Sequence, residues 1–337
     1  MSLLLTSTNK GAGKTLVGLG IGLNYPGTVG YFKPLGTNLE QGIDEDVIIF
    51  TEVFRIREKP ELLNISHDYH RILHDVKEPD FTEELTERFS YLSKEKDFMI
   101  IETGHTMSYG SFTGLGAPQV ASTLNVPGIL VAEGEPEKIV DKSIMADHCF
   151  DVKNAHLLGV IVNKCKAFEF KDQLEERNIP VLGVIPEDDT LKTPTSEDII
   201  DVLDGELLAG EEGLSKNVKS TIVGAMTYDS AVSTLEKMVF PEDSVMITGG
   251  DRADMQLLAF DMKSSLMVLT GDTYPSMTVL AKADELKVPV VTVPYDTMTA
   301  AVRCEKATAR LRPHDAPLIK GMVEKYVDLK RIYEASP

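Results

Sequence analysis

Short apolar runs alternate with stretches of helical spacing through the first 190 or so residues. Leu3 to Ser7 reads as a strand, followed by a glycine-rich turn and an apolar helical segment from Thr15 to Leu23. Further strands are predicted at Thr28 to Lys33, Asp97 to Ile101, Gly128 to Ala132, Leu157 to Val162 and Val181 to Ile185, with Phe81, Leu85, Phe89 and Leu92 at helical spacing. The strands are apolar along their whole length rather than at every second position. That pattern marks strands buried on both faces, hence βαβ units and a mainly parallel sheet. A polar stretch from Asp188 to Asp198 and a Gly- and Glu-rich one from Gly205 to Gly213 mark a boundary. Beyond it the alternation restarts, with strands at Thr221 to Met226, Ser244 to Thr248, Leu266 to Thr270 and Pro289 to Pro294. Helices are predicted at Ser230 to Val239, Ala253 to Lys263, Ser276 to Leu286 and Thr297 to Ala309. The reading is two α/β domains, residues 1–205 and a smaller 214–337.

Composition narrows the function classes. The 337 residues are 42% hydrophobic and 26% charged, with mean hydropathy −0.07, which suits a folded, globular chain. Lys and Arg number 34 against 53 Asp and Glu, a formal charge of −19. Such a surface repels phosphate backbones and anionic lipid, so neither nucleic acid nor membrane is expected as a partner. No apolar run approaches the ~20 residues of a membrane helix, and no basic-then-apolar leader opens the chain. Cys149, Cys165 and Cys304 are odd in number and in no metal-ligand spacing, so reduced thiols and a cytoplasmic setting are expected.

The sharpest chemical signal is Thr6-Ser-Thr-Asn-Lys-Gly-Ala-Gly-Lys-Thr15 between a predicted strand and helix. This is the context of a phosphate-binding P-loop. Gly11 and Gly13 let consecutive N–H groups converge on an anion, and the helix adds its positive end. Residues Thr8, Asn9, Lys10, Gly11, Ala12, Gly13, Lys14 and Thr15 would line the nucleotide phosphates. Lys14 would reach the terminal phosphates and the Thr15 hydroxyl would complete a Mg²⁺ shell. The slot five residues before Gly13, where the standard pattern has glycine, is Thr8. The fold class is therefore α/β of the P-loop NTPase type, with a nucleotide and Mg²⁺ expected.

Other polar groups fall at strand ends on the same edge, where ligands of open parallel sheets bind. Lys33, Glu102, Asn163 with Lys164, and Pro186 with Glu187 each follow an apolar run. Each alone could be a solvated strand-end residue; together on the edge of the phosphate loop they point to a shared site. Asp44 and Asp46 could join Glu102 in holding Mg²⁺, or could cap the helix that starts there.

The first half resembles the dethiobiotin synthetase and cobyrinic acid a,c-diamide synthase branch of P-loop proteins. The resemblance rests on Thr6 to Thr15, Tyr31-Phe-Lys-Pro-Leu-Gly36, Ile101-Glu-Thr-Gly104, Gly159-Val-Ile-Val-Asn-Lys164 and Gly183-Val-Ile-Pro-Glu187. It implies that Lys14 and Lys33 act on phosphate and substrate, that Thr15, Asp46 and Glu102 bind Mg²⁺, and that Asn163, Pro186 and Glu187 hold adenine. The second half resembles the DRTGG domain through Ile247-Thr-Gly-Gly-Asp-Arg-Ala-Asp254 and Val291-Thr-Val-Pro-Tyr-Asp-Thr297. Both halves together resemble the N-terminal region of long phosphotransacetylases, although that activity is not expected from a chain that stops at Pro337.

The resemblance implies a Mg-ATP-binding regulatory or switch protein of central metabolism with an unidentified small-molecule or protein partner. It also implies a homo-oligomer, since this branch commonly dimerises across the nucleotide site. The alternative is an ATP-dependent ligase that phosphorylates a carboxylate or carbamate. Thr103-Gly-His-Thr-Met-Ser-Tyr-Gly110 replaces the glycine-rich turn of dethiobiotin synthetases, so a diamino-acid substrate is not expected, and no glutaminase Cys–His pair can be placed. Cys304 reads as a packing residue. His105 is a candidate for substrate or γ-phosphate contact, or hydrogen-bonded structure. His67, His70 and His74 would share one helical face, either as a metal site or as a solvated cluster. Thr248-Gly-Gly-Asp-Arg252 would be an anion cradle with Asp251 capping the next helix, or a tight turn with a structural Arg–Asp pair.

Overall fold

The computed structural model describes residues 1–37, 39–40, 43–65, 80–165, 169–224 and 242–335. The chain forms two compact units, residues 1–187 with 311–337, and residues 188–310. The His67, His70 and His74 cluster and the helix predicted at Ser230 to Val239 lie outside the described residues.

The first unit is built on strands β1 (Ser2–Ser7), β2 (Val29–Phe32), β5 (Phe98–Glu102), β6 (Gly128–Ala132), β7 (Leu157–Asn163) and β8 (Val181–Ile185). A short antiparallel pair, β3 (Leu39–Glu40) and β4 (Ile43–Asp44), stands apart from them. The six strands run parallel in the order β2-β5-β1-β6-β7-β8. Leu3, Leu4, Leu5, Ile100, Ile101, Val160 and Ile161 are fully buried, the outcome expected of strands covered on both faces. Helices α1 (Lys14–Leu23), α2 (Glu45–Phe54), α3 (Thr82–Leu92), α4 (Ala117–Leu124), α5 (Pro136–Val152) and α6 (Lys171–Glu175) supply the crossovers. The strands out of β1 and β5 lead to opposite sides of the sheet, so the crevice at their carboxyl ends is a topological switch point.

The last 27 residues depart from the sequence reading, which assigned them to the second domain. They pack within the first unit as α12 (Ala316–Tyr326) and α13 (Leu329–Ala335). Ile319, Val323 and Ile332 are fully buried. Asn24 Nδ2 donates to the Lys320 carbonyl at 3.0 Å and the Tyr333 hydroxyl to that of Ile21 at 2.7 Å. Beside the edge strand β8, Val327 pairs with Gly183 and Asp328 N donates to Leu182 O at 2.7 Å. The tail therefore covers α1, the helix that leaves the phosphate loop, and extends one sheet edge.

The second unit has strands β10 (Ser220–Val223), β11 (Ser244–Gly249), β12 (Leu266–Thr270) and β13 (Val290–Val293), parallel, with β9 (Glu206–Ala209) antiparallel on β13. Alternate strand residues feed two cores. Val245, Ile247, Leu266, Val268 and Val293 pack with Ile199 and Leu203 of α8 (Ser196–Leu203) and Ala300 and Cys304 of α11 (Thr297–Cys304). Met246, Met267 and Leu269 pack with α9 (Ala253–Asp261) and α10 (Met277–Leu286). The segment read as a boundary thus holds structural parts of this unit: a short helix α7 (Asp189–Lys192), α8 and β9. Polar outward faces hid α8, whose start is fixed by a Thr195–Asp198 capping box.

No described helix is long and apolar enough to cross a membrane.

The close approach of α12 to α1 makes a testable demand. A Cβ on Gly20 would collide with the Val323 side chain. Gly20→Ala is expected to lower stability by about 1–3 kcal/mol through overpacking, despite alanine's better helix propensity. Adding Val323→Ala should recover part of the loss in chemical denaturation. An unchanged midpoint in the single variant would mean that the tail does not dock there.

Candidate functional site

The loop between β1 and α1 turns on two glycines in the left-handed region, Gly11 at φ 82° and Gly13 at φ 92°. A side chain on Gly13 would also run into the Asn163 amide. Asn163, the last residue of β7, is buried and donates through Nδ2 to the Ala12 carbonyl at 2.9 Å. Lys164 donates to the Gly11 carbonyl at 2.7 Å, and Lys142 of α5 to that of Thr8 at 3.3 Å. Asn9 Nδ2 donates to Glu133 at 2.5 Å, and Glu133 pairs with Lys164 at 3.1 Å. Several of the loop's carbonyls are thus tied by side chains of neighbouring elements. The helix start is not: Gly13 is the N-cap of α1, no side chain caps it, and no acid stands in the first turn. Uncapped N–H groups at a helix N-terminus are donors for an anion.

Behind the loop lies a buried group of charges. Lys14 is buried, and its Nζ donates to Ser7 Oγ at 3.1 Å. Burial lowers its pKa, opposed chiefly by Glu102. Lys33, just past β2 and 1% exposed, pairs with Asp44 at 2.9 Å and with Asp46. Burial alone would lower its pKa, but Asp46, Glu102 and Asp44 raise it above the usual lysine value. Burial likewise opposes ionisation of Asp46, yet Lys33 and the Thr15 hydroxyl hold it below the usual range. The Thr15 hydroxyl donates to Asp46 at 2.8 Å and stands 3.4 Å from Glu102. Glu102, the last residue of β5, is 1% exposed, and burial with the nearby Asp46 pushes its carboxyl up to about 7. The Tyr31 hydroxyl lies 3.3 Å from Glu102, and its ring stacks on Phe50 with centroids 3.8 Å apart. Asp44 does what one sequence reading expected: it caps α2 by accepting from Asp46 N at 3.0 Å.

The fold therefore brings Lys14, Thr15, Lys33, Asp46 and Glu102 to one crevice beside Thr8–Gly13 and Asn163. Lys10 is exposed on the loop. Pro186 and exposed Glu187 follow β8, the outermost strand, beyond β7. His105 sits against the loop, its carbonyl accepting from Ser7 Oγ at 3.0 Å and its ring edge-on to Tyr109 at 4.9 Å. Burial, Lys10 and Lys14 lower its pKa, favouring neutral imidazole. Thr15, Asp46 and Glu102 present the hard oxygen donors that magnesium prefers. Among the described residues no group of three or more His, Cys, Asp or Glu side chains is arranged to hold a metal ion. Sequence reasoning missed Ser7, Tyr31, Lys142 and Glu133. Glu133 carried the same signal as Glu102, a carboxylate directly after an apolar strand.

In the second unit, the Thr248-Gly-Gly-Asp-Arg252 segment is built as a tight turn. A side chain on Gly250 would meet the Thr273 carbonyl. Buried Gln256 donates to the carbonyls of Gly249 and Gly250 at 3.3 and 2.9 Å. The N-cap of α9 is Arg252, not Asp251, and Arg252 pairs with Asp254 at 3.2 Å. Cys304 is a buried packing residue whose thiol burial pushes up to about 12.

Comparison with known proteins agrees with this architecture. The family model described as an AAA domain matches residues 1–195, and the DRTGG domain model matches 198–307. The phosphate acetyltransferase of Synechocystis is 26% identical over 93% of this chain and 48% of its own length. That of Nitrosomonas europaea is 26% identical over 79% of this chain and 39% of its own. The chain thus spans about half the length, or less, of these curated relatives. A solved structure of the CBS and DRTGG domains of the Clostridium perfringens pyrophosphatase regulatory region, complexed with diadenosine tetraphosphate, is 20% identical. It covers 45% of this chain and 70% of its own, with a TM-score of 0.29.

The buried charge group predicts a pH signature in metal- and nucleotide-free buffer. Glu102 is raised from 4.5 to about 7, so the folded chain keeps a proton there that the unfolded chain has released. Stability from this group is full at low pH and is lost as pH rises towards 7. Depressed Asp46 acts oppositely and in a lower window, its contribution vanishing as pH falls below the usual carboxylate range. Glu102→Gln should flatten the decline between pH 5 and 7.5 in denaturation series. Parallel curves for variant and wild type would place that proton on another group.

Proposed function

We propose, from the premise that this chain belongs to the AAA domain family and joins that domain to a DRTGG domain, that it is a Mg-ATP-binding regulatory switch. Nucleotide occupancy of the first domain would govern the DRTGG domain or a protein or metabolite partner. One observation carries the reading: a left-handed glycine turn leading into an uncapped helix, with Lys14 buried beside it and oxygen donors behind it. The loop amides and Lys14 would grip the phosphate chain. Thr15, Asp46 and Glu102 would hold Mg²⁺ directly or through water, and the metal would neutralise phosphate charge. Asn163, Pro186 and Glu187 would hold adenine. The nucleotide-binding domain is proposed as residues 1–187 with 311–337 and the DRTGG domain as residues 188–310, in a cytoplasmic homo-oligomer without nucleic-acid or membrane partners.

The ligase alternative draws on Lys33, a buried ammonium beside the site that could neutralise a transferring phosphoryl group. Turnover separates the two. Tight ATP binding with negligible hydrolysis in the presence of candidate carboxylic acids supports the switch; strong substrate-stimulated hydrolysis supports the ligase.

Lys14→Ala is expected to abolish Mg-ATP binding in calorimetric titration, and undiminished affinity would remove the site assignment. Lys33→Ala should spare ADP binding while impairing any second ligand. A loss of ADP affinity equal to that of Lys14→Ala would show that the two lysines do not divide the work.

A further inference from the structure

We infer that Lys33 is a built-in counter-cation that keeps free divalent metal out of the site until nucleotide arrives. The inference rests on the Mg-nucleotide reading above and names how that site is regulated. Both oxygens of Asp46 are engaged: the Thr15 hydroxyl donates to Oδ1 at 2.8 Å, and the Lys33 ammonium holds Oδ2. Lys33 is retained by a second carboxylate, Asp44 Oδ1 at 2.9 Å. Asp44 is itself fixed, because Oδ2 accepts from Thr37 N at 2.6 Å and Oδ1 accepts from Asp46 N at 3.0 Å. Lys33, Asp44 and Glu102 are each 1% exposed, while the Asp46 side chain is 24% exposed, so solvent reaches the cluster only at Asp46 and screens the Lys33 side weakly.

A divalent cation approaching Asp46 would face an ammonium already paired with the oxygen it needs. In a weakly screened pocket the two positive charges repel strongly, so one must leave for the other to enter. Phosphate oxygens supply the missing negative charge. With them in the loop, the ammonium can pass from Asp46 to phosphate as metal takes its place on the carboxylate. Metal and nucleotide then bind with positive coupling, and each raises the other's affinity by the same factor. The consequence for a switch is selectivity: the site does not load with free magnesium, and its state reports nucleotide alone.

The test uses the full chain without nucleotide and follows free Mn²⁺ by its paramagnetic resonance signal. Wild type is expected to bind Mn²⁺ weakly. Lys33→Met, which keeps the aliphatic stem and removes the charge, should bind it at least tenfold more tightly, and Asp46→Asn added to it should cancel the gain. Thermal melts guard against a folding defect. A Lys33→Met chain that folds only with Mn²⁺, or whose melting temperature Mn²⁺ raises more than that of wild type, supports the inference. Binding no tighter than wild type, a gain that survives Asp46→Asn, or a chain unfolded even with Mn²⁺ overturns it. A separate wild-type titration with Mg-ATP keeps the two claims apart. No nucleotide binding sinks the site reading itself, whereas normal nucleotide binding with no Mn²⁺ gain in Lys33→Met sinks only the counter-cation.

Discussion

Charges taken out of water must find partners inside the protein, and around Lys33 that requirement organises the site. One ammonium, two carboxylates and a raised glutamic acid are packed at the carboxyl ends of β2 and β5, with only Asp46 keeping part of its side chain in contact with solvent. Removing either sign would leave the other buried and unpaired, an outcome far costlier than never having buried the pair. Buried ion pairs often stabilise a fold no better than apolar groups of similar volume, so stability is weak grounds for such a cluster. Its place beside the glycine turn fits the proposed role, in which the groups that balance one another without ligand would rebalance around a polyphosphate and a metal.

The sheet order puts them there. β1 lies between β5 and β6, with β2 outside β5 and β7 outside β6. Residues that follow five different strands therefore reach one crevice: the loop after β1, Lys33 after β2, Glu102 closing β5, Glu133 after β6, and Asn163 closing β7. The two sides have different tasks. From β6 and β7 come Glu133, Asn163 and Lys164, which hold loop side chains and carbonyls in place. From β2 and β5 come Lys33 and Glu102, which set the electrostatics. Support and charge chemistry are thus separated across β1.

Much of this was legible because parallel strands buried on both faces leave an unbroken apolar signature that stops at the ligand edge. Leu266–Thr270, Gly128–Ala132 and Val181–Ile185 were read to their ends. Lys33, Glu102 and Asn163 were flagged by their strand-end positions, and Lys14 by the phosphate-loop pattern. The signal failed where a residue's partner is remote in sequence. Nothing near Ile319, Val323 or Ile332 says that their apolar stripe belongs on α1, three hundred residues earlier. Nothing near β9 says that an edge strand of the second unit lies inside a Gly- and Glu-rich stretch, because an edge strand is half solvated and carries no buried run. Asp44 was read in part. Local spacing offered capping or metal binding, while the structure has it cap α2 and anchor Lys33 at once.

Gripping a nucleotide and turning it over make different demands on such a site. Occupancy at millimolar nucleotide needs about 4–6 kcal/mol of binding free energy. Catalysis needs at least ~8 kcal/mol more, delivered only in the transition state. The glycine turn, the uncapped helix start and Lys14 are all devices for the first. The groups suited to the second already have other roles: Lys33 pairs with Asp44 and Asp46, the Glu102 carboxyl is pushed up to about 7 by burial, and burial biases His105 toward neutral imidazole. A second substrate would have to recruit several of them at once, whereas a nucleotide needs only to displace Lys33 from one carboxylate. The balance of engaged groups therefore supports the proposed switch over the ligase alternative.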